Sequence, residues 1–219
     1  MAQSRDETRS PAPATEFLAL GGYSFRLAAS PEEEEQILQL LHRTFVLEVR
    51  QDADTGTGRL IDKFHDKNTY IVAVRQCRIC GVVAVHDQPP FSAGGALDDR
   101  EILERLCPKL LEARRFSVEP AERSGLVFPG LVWSVYEYAR RGGYRHILIS
   151  ALLERRGMYE RLGFRPLGPA VRKGEAYFVP MLVDLCYLPG RVRHDRDRWQ
   201  RRAGITVNHL QGGIEEEHS

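Results

Sequence analysis

The chain has few cysteines, no long apolar run and almost no net charge. Its four cysteines are scattered through 219 residues, and no apolar run approaches the roughly 20 residues that a membrane-spanning helix needs. The first 16 residues contain no apolar stretch of the kind found in export signals, so we expect a cytoplasmic protein with reduced cysteines. The formal net charge of +1 provides no overall field for nucleic acid or an anionic membrane, and we expect neither as a partner.

Apolar patterns of strand and helix length fill the middle of the sequence. In chain order they predict β-α-β-β-α-β-α-β-α-β-β, without the strict alternation of a doubly wound fold. We therefore expect an α/β (α+β) domain over residues 17–187, with a mixed sheet and helices on both faces. Residues 1–16 are polar and predict a disordered leader, and residues 188–219 predict a polar tail or linker.

Turn residues and periodicity predict the individual elements. Ser30, followed by Pro31 and Glu33, predicts a helix N-terminus with a capping box. Pro108 predicts an early end for the helix that begins near residue 97. The predicted strands cover 23–30, 69–76, 78–87, 111–118, 145–150, 164–171 and 176–185, and the later helices cover 97–111, 129–141 and 152–162.

The stretch LEARRFSVEPAERSGLVFPG, residues 111–130, leads from a strand pattern into a helix pattern through a basic turn with few glycines. A helix N-terminus offers unpaired N–H groups and about half a positive charge, which suits a phosphate. Arg123 supplies a cation at the mouth of the turn, and Gly125 allows close approach of the backbone. From the turn alone, an anion-binding loop and an ordinary strand-to-helix connection both stay open.

A second segment, MYERLGF at 158–164, has an aromatic residue four positions before a helix-ending glycine. Gly163 can adopt the left-handed conformation that ends a helix, and Phe164 starts the next strand pattern. Tyr159 is either an amphipathic packing residue or a functional hydroxyl. The two segments together are more specific than either one alone.

Together these segments resemble the GCN5-related N-acyltransferase (GNAT) superfamily over roughly residues 23–185. In that family a strand ending in Val-x-Pro leads through an Arg-containing loop into a long helix, and a Y-x-x-x-G-F motif follows. Here Val118, Pro120, Arg123 and Tyr159 carry the match. The resemblance implies a mostly antiparallel central sheet and a loop that cradles the pyrophosphate of acetyl-CoA or a longer acyl-CoA. The implied cofactor-binding residues are Phe116, Val118, Arg123, Ser124, Gly125, Leu126, Val127 and Phe128.

The loop departs from the superfamily because Leu126, and often Phe128, stand where glycine is usual. A narrower resemblance accounts for this departure. The stretches LHRTFVLEVR and EARRFSV are similar to motifs of acyl-homoserine-lactone synthases and N-acyl amino acid synthases, whose loops are also poor in glycine and which often use acyl carrier protein. Ala113 and a missing tryptophan separate the chain from homoserine-lactone producers. The residues that carry the match are Arg43, Phe45, Glu112, Arg115 and Phe116, of which Arg43, Phe45 and Arg115 are the implied substrate-binding residues.

The resemblance implies an N-acyltransferase in which a primary amine attacks the acyl thioester directly. Glu112 is the expected base for the amine, with an ion pair to Arg114 or Arg115 as its alternative role. The backbone N–H near Val118 is expected to polarise the thioester carbonyl, and Tyr159 to protonate the departing sulfur. The implied acceptor is a small amine or an amino acid, and the sequence leaves homodimerisation open.

Two other functions are compatible with the same residues: a long-chain N-acyl amino acid synthase-like enzyme, and a non-catalytic acyl-CoA sensor. Cys77 and Cys80 are spaced like a zinc or redox pair, but no second pair lies at a suitable spacing, and we expect no metal site. His86 is expected to be a surface or core histidine. Asp62, His65 and Asp66 could shape the acceptor pocket, but we expect them to lie in a solvated loop.

Overall fold

The computed structural model describes residues 16–97 and 101–188, together with the single positions 190, 194, 198 and 201. Within these residues one sheet contains β1 (Glu16–Leu20), β2 (Tyr23–Leu27), β3 (Thr69–Arg75), β4 (Arg78–His86), β5 (Leu110–Val118), β6 (His146–Leu152), β7 (Arg165–Pro166), β8 (Val171–Lys173) and β9 (Ala176–Asp184). The continuous α-helices of the same region are α1 (Pro31–His42), α2 (Glu101–Leu106), α3 (Val127–Arg141) and α4 (Arg156–Arg161).

The sheet is mixed and mostly antiparallel, as predicted. Its strand order is β1-β2-β3-β4-β5-β6-β9-β7, and β8 also pairs with β9. The pair β5–β6 is parallel, whereas the other neighbouring strands run antiparallel. No helix in the described part of the chain is long and apolar enough to cross a bilayer.

Helices cover both faces of the sheet. On one face, Ile37 and Leu40 of α1 pack in a cluster with Val72 and Val82 of the central strands. On the other face, α3 packs in a second cluster that includes Ile71 and Val83. Successive strand residues point to opposite faces, which explains why near-continuous apolar runs form β3 and β4.

The N-terminal end of α1 is capped as predicted. The hydroxyl of Ser30 accepts from the Glu33 N–H at 3.3 Å, and the Glu33 carboxylate accepts from the Ala29 N–H at 2.8 Å. Beyond α1 the helix widens into one π-helical stretch, Arg43–Glu48, in which Val49 N–H donates to the Thr44 carbonyl at 2.8 Å. Such π-helical turns are frequent at functional sites.

The parallel pair β5–β6 opens into a cleft. The two strands pair only from Leu110–His146 to Glu112–Leu148, although β5 continues to Val118 and β6 to Leu152. Over these later residues β5 stays bonded to β4 and β6 stays bonded to β9. The sheet therefore divides into two halves, with a wedge-shaped gap between them.

Several boundaries differ from the sequence prediction. Strand β1 was not predicted, because its first residue was assigned to the polar leader; it pairs with β2 through a tight Gly21–Gly22 turn in which both glycines have positive φ. The strand predicted over 164–171 is instead the short β7 and the separate β8. In the segment predicted to be a polar tail or linker, positions 190, 194, 198 and 201 are helical.

Glu112 fixes the point at which β5 and β6 separate. Its side chain is fully buried, and each carboxylate oxygen accepts two hydrogen bonds. Oε2 accepts from Ser92 N–H and lies 2.8 Å from His86 Nε2, while Oε1 accepts from the Ser92 hydroxyl and the Ala93 N–H. Burial alone would raise the pKa of Glu112, but the hydrogen bonds from His86 and Ser92 hold this pKa below its ordinary value of 4.5. The carboxylate is therefore a structural anchor for segment 92–93.

Replacement of Gly130 by alanine should destabilise the packing of α3 on the sheet. An added Cβ would lie 2.2 Å from Cζ of Phe25, whose side chain is fully buried. We expect the overpacking cost of about 1–3 kcal/mol to exceed the roughly 1 kcal/mol gain in helix propensity, as measured by urea unfolding. Gly125→Ala is the control, because a Cβ at this position would lie no closer than 3.6 Å to its neighbour, the Glu122 carbonyl. Equal free energies of unfolding for the two variants would contradict this packing.

Glu112→Gln should lower the free energy of unfolding at neutral pH by about 3 kcal/mol, because the amide nitrogen would face buried donors. The pKa of Glu112 is lower in the folded chain than in the unfolded chain. Its stabilisation is therefore complete above the ordinary pKa of 4.5 and is lost as the pH falls through the folded value.

Urea unfolding between pH 3 and pH 7 measures both the loss of stability in Glu112→Gln and the dependence of wild-type stability on pH. As the pH falls, the free energy of unfolding of Glu112→Gln should decrease less than that of the wild type. Glu35→Gln, in an exposed ion pair with Arg59, is the control and should change stability by less than about 0.5 kcal/mol. A Glu112→Gln variant as stable as this control would contradict the anchoring role.

Candidate active site

The cleft between β5 and β6 contains two pockets that meet at its centre. A polar pocket of about 330 Å³ opens beside the π-helical stretch, and an apolar pocket of about 240 Å³ lies between α3 and α4. Residues that line both pockets are Ala113, Phe116, Phe128, Ile149 and Tyr159. The gap in the sheet therefore connects its two faces.

A bulge in β5 shapes the polar pocket. The register with β4 shifts between the pairs Val82–Ser117 and Ala84–Arg114, and Arg115 has a φ of 53°. A bulge can turn two consecutive side chains toward the same face. The guanidinium groups of Arg114 and Arg115 consequently both bind Asp62.

Asp62 is a buried partner of these two arginines and does not lie in a solvated loop, so that expectation was wrong. Burial would raise the pKa of Asp62, but the charges of Arg114 and Arg115 hold it below its ordinary value. Arg115 also binds Asp52 through two nitrogens and lies 4.8 Å from the centre of the Phe45 ring. Arg115 and Phe45, which the sequence predicted to bind substrate, both line the polar pocket.

Arg43 has a different position. It binds Glu119 on the loop after β5, while the neighbouring residues Thr44 and Phe45 line the polar pocket. The predicted contact of Arg43 with substrate therefore has no support from its position, and its ion pair instead connects the π-helical stretch to the loop.

The loop before α3 retains free backbone donors. The N–H groups of Arg123 and Gly125 bind the carbonyls of Pro120 and Glu122. Within the described residues, the other N–H groups of the loop and first helical turn have no hydrogen-bond acceptor; they belong to Ser124, Leu126, Val127 and Phe128. These donors are the unpaired amides expected at a helix N-terminus.

The bulky side chains of this loop pack mostly away from the polar pocket. Leu126 packs against Gly21 in the β1–β2 turn, and Val127 packs against Gly81 of β4. Of the predicted loop residues, Arg123 and Phe128 line the cleft, and the Phe128 ring lies 5.0 Å from that of Phe116. The scarcity of glycine in the loop therefore does not block the amides.

Arg123 is held at the mouth of the cleft by two acceptors. Its Nε donates to the Val118 carbonyl at 3.1 Å, and its terminal nitrogens bind both carboxylate oxygens of Glu48. Arg123, which the sequence predicted to bind a phosphate, therefore binds the Glu48 carboxylate in this structure.

Val118 directs its backbone into the cleft. The next N–H, that of Glu119, donates to the Cys80 carbonyl on β4. Because N–H directions alternate along a strand, the Val118 N–H points away from β4 and toward β6. The Val118 carbonyl points the same way and accepts from Arg123.

Tyr159 lies where the two pockets join. Its ring meets Phe164 edge to face at 5.8 Å, which fixes the end of α4 against the cleft. Burial raises the pKa of Tyr159 to about 12, so the hydroxyl stays protonated at any ordinary working pH.

Glu112 does not have the surroundings of a general base. Its four acceptor positions are occupied by His86, Ser92 and Ala93, and it lines neither pocket. The partner predicted for it, Arg114 or Arg115, is also incorrect, because both arginines bind Asp62. His86 is a core residue, stacked between the rings of Phe64 and Phe91.

Sequence reasoning missed several residues of the polar pocket, including Ser92, Ser150 and Lys173. The Ser150 hydroxyl is buried without a partner among the described residues. None of the three lies in a recognisable motif, and only the β5–β6 separation and the β8–β9 hairpin bring them together.

Comparisons with known proteins agree with this architecture. The putative N-acetyltransferase from Lactobacillus plantarum is 19% identical with a TM-score of 0.58, over 75% of this chain and 99% of that one. A coenzyme A-dependent acyl-homoserine lactone synthase, BjaI, is 21% identical with a TM-score of 0.62, over 84% and 88%. FeeM, an N-acyl amino acid synthase from uncultured soil microbes, is 15% identical with a TM-score of 0.61, over 75% and 90%. At these identities the likeness establishes the fold.

The sequence itself matches a family model. No curated protein matches the chain in sequence, but the model of N-acyl amino acid synthase FeeM matches residues 36–184. That match runs from α1 to the end of β9 and contains both strands of the cleft. Because it spans more than half of the chain, the protein belongs to the FeeM family of N-acyl amino acid synthases and is an N-acyltransferase.

Proposed function

We propose that the protein transfers a medium or long acyl group from acyl-coenzyme A to the amino group of an amino acid or small amine. Acyl carrier protein is the alternative donor. The observation that carries this proposal is the cleft that joins an apolar pocket to a polar one at Tyr159. In acyl transfer the carbonyl carbon lies between an apolar acyl chain and a polar acceptor, so the site needs an apolar pocket on one side and a polar pocket on the other.

The donor fits the α3 side of the cleft. Free N–H groups at the start of α3 suit the phosphates of coenzyme A or of a carrier-bound phosphopantetheine. Arg123 lies beside them and can bind phosphate once it leaves Glu48. The acyl chain would enter the apolar pocket, whose lining residues include Val132, Trp133, Leu162 and Phe164. Such a lining favours a chain longer than acetyl.

The reaction would then proceed by direct attack. The Val118 N–H would polarise the thioester carbonyl, the amine would attack that carbon, and the Tyr159 hydroxyl would donate a hydrogen bond or proton to the departing sulfur. Since Glu112 is enclosed, the amine proton would leave through water in the polar pocket. An acyl-enzyme trapped by rapid mixing would contradict this order.

A non-catalytic acyl sensor is the competing function. Turnover assays with acetyl-, octanoyl- and palmitoyl-coenzyme A against a panel of amino acids and amines separate the two. Release of free thiol that depends on the acceptor supports the enzyme. Stabilisation by an acyl-coenzyme A without any acylated product would support the sensor.

Arg123→Gln should weaken coenzyme A binding by about tenfold, because a charge-assisted contact with phosphate would be lost. Glu48→Gln should tighten binding a few-fold, since it frees Arg123. Calorimetric titration measures both. Arg172→Gln is the control, because the Arg172 side chain donates to the nearby Gly174 carbonyl and lines neither pocket of the cleft. Unchanged affinity in both cleft variants would contradict the phosphate site; the same changes with acyl carrier protein alone would identify the carrier as donor.

Tyr159→Phe should lower kcat by about 100-fold or more if the hydroxyl assists the leaving sulfur, with little change in donor affinity. Because the pKa of Tyr159 is raised to about 12, its loss should lower the plateau of the pH–rate profile without moving its alkaline limb below pH 10. Tyr177→Phe, at an exposed tyrosine, is the control. A Tyr159→Phe enzyme with wild-type kcat would exclude this role.

A further inference from the structure

Lys173 differs from the other cations of the polar pocket. Arg114, Arg115 and Arg123 are each paired with a carboxylate, and Arg155 is exposed to solvent. Lys173 is half-buried and has no carboxylate partner among the described residues. Its Nζ donates to the Ser92 carbonyl at 3.3 Å and lies 5.8 Å from the centre of the Phe178 ring.

The surroundings of Lys173 favour the arrival of an anion. Burial lowers its pKa, and the charges of Arg114, Arg115 and Lys63 act in the same direction, while Glu112 opposes them. The Glu112 carboxylate is already bound to His86 and to segment 92–93. A half-buried ammonium group in this setting is stabilised by a bound carboxylate.

Lys173 is held in place from two directions. Ser92, which accepts from Lys173, is fixed by its own hydrogen bonds to Glu112. On the other side, Gly174 has a φ of +61°, and a Cβ there would lie 2.2 Å from the Arg50 carbonyl. The Glu175 N–H donates to the same carbonyl at 3.0 Å. The β8–β9 turn therefore rests on the segment that follows the π-helical stretch.

Lys173 and the phosphate loop contact different parts of the polar pocket. Lys173 is connected through Ser92 to Glu112 near the start of β5, whereas Arg123 contacts Val118 at the end of that strand. The charges of Arg114 and Arg115, in the middle of β5, also act on Lys173. Lys173 thus lies toward the narrow end of the polar pocket, on the acceptor side.

We propose that Lys173 binds the carboxylate of the acceptor and so selects amino acids over simple amines. This inference rests on the proposed function, and it adds the residue that would bind the acceptor. Lys173 acts as a specificity-determining residue: its ammonium group fixes the carboxylate, which aims the amino group at the thioester in the centre of the cleft.

The test compares two acceptors that differ only in the carboxylate. The best amino acid from the panel is assayed beside the amine that its decarboxylation gives, for example phenylalanine and 2-phenylethylamine. Lys173→Met, Lys173→Arg and wild type are compared. Lys67→Met is the matched control, because Lys67 also donates to a backbone carbonyl, that of Pro89, but lines neither pocket of the cleft.

Lys173→Met should lower kcat/KM for the amino acid by at least about tenfold, mainly through KM, and leave the amine unchanged. Lys173→Arg should retain most of the wild-type preference, and Lys67→Met should retain all of it. Calorimetric titration of the coenzyme A-bound protein with the amino acid should give the same contrast without turnover.

Four results would overturn the inference. Equal losses for both acceptors would make Lys173 a residue of the chemistry or of the fold, and an inactive Lys173→Arg enzyme would indicate a proton-accepting lysine. A wild-type enzyme that acylates both acceptors equally well would leave the proposed function intact but remove carboxylate selection. Absence of turnover with every acceptor would refute the proposed function itself, and this inference with it.

Discussion

The buried carboxylate of Glu112 is the interaction on which the cleft depends. It lies at the last paired position between β5 and β6, where it binds His86 of β4 and accepts three hydrogen bonds from Ser92 and Ala93, which have no regular structure of their own. A neutral side chain at this position could not accept all four hydrogen bonds. These hydrogen bonds, together with the packing of Phe91 and Ala93 in an apolar cluster, hold Ser92 at the narrow end of the gap, where its carbonyl accepts from Lys173. A residue without contact to either pocket therefore controls the geometry of one of them.

Ion pairs supply a second constraint, at the wide end of the gap. The π-helical stretch and the loop before α3 are connected by Arg43–Glu119 and Glu48–Arg123. Both pairs are substantially exposed, so each contributes little to stability. Their exposure also means that a phosphate can replace Glu48 at small cost. The strong contacts of the site are at its narrow end, and the exchangeable ones are where the donor would bind.

Local signals were sufficient to predict much of the fold. The near-continuous apolar runs of β3 and β4, the Ser30 cap and the glycine that ends α4 each act within a few residues, and they predicted a mixed sheet with helices on both faces. The site was harder to predict, because its polar groups come from distant segments. Asp62 was assigned to a solvated loop, since a short polar stretch gives no sign of two arginines 52 and 53 residues later. Glu112 was assigned a catalytic role because its position on the central strand says nothing about the donors that enclose it. Lys173 lies on a three-residue strand with no motif, and only long-range packing gives it significance.

The connection between the two faces of the sheet has a consequence for how the product departs. An N-acylated product would have its tail in the apolar pocket between α3 and α4 and its head group beside the π-helical stretch. The product would therefore pass through the gap between β5 and β6. Phe116, Phe128 and Ile149 border the hole. The head group carries charge and cannot follow the tail through this apolar neck. The tail must therefore be withdrawn toward the head-group side, and longer tails should leave more slowly than shorter ones.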